Sequence, residues 1–72
     1  MRRADLRVAK VAADQRGIVR RTDAAKIGVT DRDVDRLLEV GLLVAVHPGV
    51  YRHAAVAFDE TARLLSAVWA EA

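Results

Sequence analysis

Apolar side chains recur with a helical period over the first part of the chain. Leu6, Ala9 and Ala13 fall on one side, with Val8 and Ala12 next to them, and this spacing predicts a helix over 4–15. On the opposite side Arg3, Arg7, Lys10 and Asp14 follow i, i+4, i+7, i+11 spacing. Gly17 supplies a stop, and Ile18 and Val19 connect to a second, shorter helix. Thr22 is its N-cap candidate, and it closes before Gly28. The third helix carries the clearest signals. Thr30 with Asp33 three residues on forms a capping-box-like start, Val34, Leu37 and Leu38 are apolar at i, i+3, i+4, and Gly41 ends it.

The period then changes. Leu42 to Val46 is a β-prone run, and His47-Pro48-Gly49-Val50 has proline and glycine at the two central positions of a type II turn. Val50 to His53 returns as a second strand, giving a two-stranded hairpin that must lean on the helices for stability. Asp59 caps a last helix from 60 to the end, with Leu64, Leu65, Val68 and Trp69 as its apolar stripe. The expected order is helix, helix, helix, hairpin, helix, read as a single domain over 1–72.

Composition narrows the options. Hydrophobic residues make up 53% of the 72, which excludes intrinsic disorder, but 14 of them are alanine, so the core is modest. Without cysteine, neither a disulfide framework nor a thiolate metal site reinforces it. Met1-Arg2-Arg3 is followed by recurrent charges rather than an apolar signal region, and the longest uncharged apolar run is Val40 to Val46, too short to span a bilayer. The expectation is a cytoplasmic chain with no membrane partner.

Charge is distributed unevenly. The net charge is +2, yet residues 1–26 sum to +5 and residues 27–72 to −3. A basic half points to an anionic partner such as nucleic acid.

Catalytic chemistry finds little to work with. Ser66 is the only serine, no glycine-rich phosphate loop is present, and His47 and His53 stand without a nucleophile or ligand set nearby. Asp31-x-Asp33-x-Asp35 resembles the opening of a calcium loop, but the sixth and twelfth positions are Arg36 and Leu42 instead of glycine and glutamate. We therefore expect no enzyme, no metal and no cofactor.

A helix-turn-helix fits better. Ala24 is small where two helices would cross, Gly28 permits the turn, and Ile27, Val29, Val34 and Leu37 supply the contacts that lock the crossing. Asp23 is the one misfit, at a position normally apolar. With the following hairpin, this describes a mainly α winged helix-turn-helix: three helices, a two-stranded wing and a C-terminal helix. In that fold the third helix enters the major groove.

The stretch from Val8 to Tyr51 also resembles a known family. Its Ala12-Ala13, Gly17-Ile18-Val19, Thr22, Gly28-Val29-Thr30, Gly41-Leu42-Leu43 and, most specifically, His47-Pro48-Gly49-Val50-Tyr51-Arg52 look like the N-terminal winged-helix domain of AbiEi-type antitoxins. These are bacterial transcriptional regulators associated with type IV toxin–antitoxin systems. The resemblance implies a domain that binds operator DNA, usually its own promoter. In that family a separate C-terminal domain carries further function, so toxin neutralisation is not carried over by the resemblance.

On this reading Thr30, Arg32 and Arg36 face base edges or flanking phosphates of double-stranded DNA, and Arg20, Arg21, Lys26, His47 and Arg52 grip the backbone. Arg3, Arg7 and Lys10 form a further basic stripe on the first helix. Tyr51 anchors the wing in the core. Trp69 either packs back on the first helix or, with Leu65, forms half of a symmetric homodimer contact, which suits a DNA reader with two half-sites. Asp31, Asp35 and Glu39 form an acidic row on the third helix, at odds with a phosphate-facing surface. That row keeps a rival open: a protein-interaction module that turns its acidic helix toward a basic protein partner.

Overall fold

A computed structural model describes residues 2–71. Its elements are α1 (Arg3–Asp14), β1 (Ile18–Arg20), α2 (Arg21–Lys26), α3 (Asp31–Glu39), β2 (Leu43–His47), β3 (Val50–His53) and α4 (Glu60–Glu71). The strands form one antiparallel sheet in the order β1-β3-β2.

The sequence predicts a two-stranded wing; the structure has three strands. Ile18, Val19 and Arg20 pair with Arg52, Tyr51 and Val50. Three residues are too few for an alternating pattern to register, and what makes them a strand is a partner far along the chain. The α2 start is corrected as well. Its N-cap is Arg20 rather than Thr22, with backbone angles in the extended region.

Between β2 and β3 the register places Ala45 opposite Tyr51 and His47 opposite Val50, leaving Val46 as a bulge. Pro48 and Gly49 then close the turn, with Gly49 at φ +73°, the positive value that a type II turn asks of its third residue. The tip is tied down: the Arg21 N–H donates to the Gly49 carbonyl at 2.9 Å.

Alternation along the strands sends successive side chains to opposite faces, and each face has its own core. On one, Val19, Leu43 and Tyr51 join Val8, Ala12, Ala24, Val29, Val34 and Leu37 beneath α1, α2 and α3. On the other, Ile18 and Val50 meet Ala62 of α4, flanked by Phe58, Leu65, Trp69 and Ala70. The molecule is therefore layered, with helices α1–α3, then the sheet, then α4. The small Ala62 and Ser66, both fully buried one turn apart, let α4 approach closely, and Ser66 satisfies its hydroxyl by donating to the Arg63 carbonyl at 2.7 Å.

Trp69 therefore packs neither on α1 nor out in solvent. It is half-buried against the β1–β3 side of the sheet, as is Leu65. The large apolar residues that α4 leaves exposed are Leu64 and Val68.

Candidate nucleic-acid interface

The cap of α3 is the one its sequence predicts. The Thr30 hydroxyl accepts from the Asp33 N–H at 3.1 Å, and the Asp33 carboxylate accepts from the Thr30 N–H at 3.2 Å and from its hydroxyl at 3.0 Å. These bonds, the backbone one foremost, hold the Asp33 carboxyl below its ordinary range. Val34 and Leu37 are buried beneath the helix, and the residues it shows to solvent are Asp31, Arg32, Asp35 and Glu39.

Both flanks of α3 are braced by ion pairs. On one, the Arg36 guanidinium bonds the Asp5 carboxylate of α1 and is only partly exposed. On the other, Arg21 at the start of α2 reaches Asp31 at 2.9 Å and Asp35 at 3.3 Å, while its Nε donates to the hydroxyl of buried Tyr51 at 2.9 Å. The bonds to Asp31 and Tyr51 raise the Arg21 pKa still further. Arg32 and Arg36, expected side by side, thus diverge: Arg32 is exposed, whereas Arg36 leans back on the protein.

The Asp23 misfit is resolved here. Its carboxylate accepts from the Arg20 N–H at 2.9 Å, from Arg20 Nε and Nη2 at 3.0 Å each, and from Gln15 Nε2 at 3.1 Å. Burial pushes the Asp23 carboxyl up, but the bonds from Arg20 and Gln15 outweigh it and hold the group below its ordinary range. At position N3 of α2, where an acid suits the helix dipole, Asp23 is a cap rather than a failed core residue. Nothing in the one-dimensional pattern identifies Arg20 as its partner.

Arg20 and Arg52 share the α4 face of the sheet. The Arg20 guanidinium carbon lies 4.2 Å from the Trp69 ring centroid, and that of Arg52 lies 5.5 Å from Phe58. His47 is half-buried at the end of β2, and Lys26 is exposed at the end of α2. Thr30, Arg32, Arg21 and Arg36 are thus brought together around α3, with Lys26 just before the turn, whereas Arg20 and Arg52 lie across the sheet.

On α1, Arg3, Arg7 and Lys10 are exposed. The Arg7 Nη1 donates to the Ile27 carbonyl at 3.1 Å, satisfying the C-cap of α2 right where the turn to α3 begins. Among the described residues no cluster of three or more histidines, aspartates and glutamates could hold a metal ion. No described helix is long and apolar enough to cross a membrane.

Helix α1, the short helices α2 and α3 joined by a tight turn with α3 capped and braced, and a β-hairpin sharing a three-stranded sheet with the segment before α2 define a winged helix-turn-helix protein. The sequence profile described as "Transcriptional regulator, AbiEi antitoxin" matches residues 6–53, from α1 through β3. The chain belongs to this family. No curated protein and no solved structure gave a significant match. The matched span ends before α4.

Proposed function

We propose that this chain is a cytoplasmic, bacterial double-stranded DNA-binding regulator of transcription that acts by occupying a promoter, without chemistry and without a cofactor. The observation that carries the reading is the bracing of α3: a capped helix fixed on both flanks, with the Arg32 side chain exposed. A rigid helix presenting a guanidinium is suited to guanine O6 and N7, for which arginine is the usual partner. Membership of a family of transcriptional regulators points the same way.

In this reading Arg32 and Thr30 meet base edges or their flanking phosphates, and Lys26 and His47 meet the backbone. Arg21 and Arg36 join when a phosphate replaces their carboxylate partners. Arg20 and Arg52 act behind the surface, holding the sheet and α4 in place.

The rival protein-interaction reading depended on three free carboxylates in a row. Arg21 engages two of them, Asp31 and Asp35, which leaves Glu39 as a weak basis for recruiting a basic partner. Duplex binding at low salt, followed by anisotropy, tests the proposal. Affinity should fall linearly on a log–log plot with a slope of about −0.9 per phosphate contact. Arg32→Ala should erase preference between sequences while leaving the circular dichroism spectrum intact. Absence of duplex binding at low salt overturns the proposal, and unchanged preference in Arg32→Ala removes α3 as the reader.

A further inference from the structure

Resting on that DNA-binding reading, we infer that the main phosphate-gripping surface is the outer face of α1, with Arg3, Arg7 and Lys10 running along the backbone of the duplex beside α3. The wing is not where the charge lies. The supporting contrast is one of pairing. Of the arginines around α3 and the hairpin, three are already committed to carboxylates, Arg20 to Asp23, Arg21 to Asp31 and Asp35, and Arg36 to Asp5, while Arg32 is given to the bases and Arg52 rests on the Phe58 ring. Arg21 and Arg36 reach a phosphate only by giving up a carboxylate, which is then left facing the polyanion, so each adds less than a cation that starts unpaired. Arg3, Arg7, Lys10 and the adjacent Lys26 form no ion pair among the described residues, and all four are exposed. Cations of that kind carry condensed counterion release and hence most of the salt dependence.

Geometry joins this stripe to the reading helix. Arg7 is anchored on the Ile27 carbonyl, and its Nη1 lies 3.3 Å from where a side chain on Gly28 would begin. That fixes the centre of the stripe at the turn that launches α3. One of the five guanidinium donors is used there, so the rest remain for phosphate oxygens. The i, i+4, i+7 spacing sets the three cations along about 10 Å of helix, enough to meet successive phosphates of one strand. Asp14 ends the row, so the useful stretch runs from Arg3 to Lys10. The hairpin, by contrast, has a two-residue turn whose tip is bonded back to α2, so it has no free arm to reach a groove.

The test is the salt dependence of binding to a fluorescein-labelled duplex of mixed sequence, using the full chain. Arg3→Gln with Arg7→Gln and Lys10→Gln should make the log–log slope shallower by two to three units, against about 0.9 per lost contact. Arg7 also caps α2, so Arg3→Gln with Lys10→Gln is the second variant; neither side chain forms a hydrogen bond or ion pair among the described residues, and the expected change is about two. Arg63→Gln on α4 serves as the control for net charge and should leave the slope as it is. Wild-type binding with an unaltered slope in the double variant overturns the α1 surface while leaving the DNA reading standing. A wild-type chain that shows no duplex binding at low salt overturns both.

Discussion

A carboxylate only 8% exposed needs donors, and Asp23 has four, three of them from Arg20. Asp23→Ala strands the Arg20 and Gln15 donors, and we expect a loss of about 1–3 kcal/mol in urea unfolding. The group is more acidic folded than unfolded, so the native state holds fewer protons. Its contribution is complete above the ordinary carboxylate range, about pH 4, and is lost as pH falls through the lower folded value. Stability measured from neutral pH downward should therefore decline below about pH 4, and Asp23→Asn should flatten that decline. A variant as acid-sensitive as the wild type would show that other carboxylates dominate. Asp35 poses a different case. It is largely exposed, and its bond to Arg21 is worth at most about 1 kcal/mol. On the DNA reading it competes with phosphate for that guanidinium, so Asp35→Asn should tighten duplex binding up to about fivefold at low salt. Weaker binding would mean that the carboxylate orders Arg21 for contact instead of occupying it.

Elements in this chain are set by local signals where the partner is near, and by distant pairing where it is not. Two glycines measure the difference. Gly49 has φ +73° with nothing within 4 Å of an added methyl, so Gly49→Ala should cost only the left-handed backbone, about 1 kcal/mol. Gly17 has φ +88°, and its added Cβ would stand 2.9 Å from Val56, so Gly17→Ala adds a clash and should cost about 3 kcal/mol in thermal unfolding. Comparable losses would mean that the 54–59 segment yields freely. The same division explains what was legible. The α3 cap, the buried Val34 and Leu37 and the Pro48-Gly49 turn are all encoded within a few residues, and each appears as read. Strand β1 carries no local signal because its partner is β3, and the fate of Arg36 carries none because Asp5 lies 31 residues away. For the candidate site, residue types were readable but pairing was not. Of the positively charged positions singled out, the sequence could not say which would be matched to a carboxylate. Strand alternation could have assigned Arg20 and Arg52 to the α4 face, but only once β1 was known to be a strand.

At the scale of the whole molecule, two small cores share one thin sheet. The α1–α3 core and the α4 core meet through adjacent residues of the same strands, Val19 beside Ile18 and Tyr51 beside Val50. Loss of α4 would uncover Ile18 and Val50, both nearly inaccessible in the native fold, and remove the ring on which Arg20 rests. Arg20 in turn holds Asp23 and the start of α2. Coupling of this kind predicts a single cooperative transition even though the matched family region ends before α4. Trp69 is the only tryptophan and sits in the α4 core, so its fluorescence reports that layer, while far-ultraviolet circular dichroism weighs all four helices. The two urea curves should coincide. Trp69→Ala should shift the circular dichroism midpoint as well, by about 2 kcal/mol for a half-buried ring, because the damage spreads through Arg20 to the opposite face. If fluorescence changes first and circular dichroism follows, α4 undocks as a separate unit, and the link through Arg20 does not couple the layers.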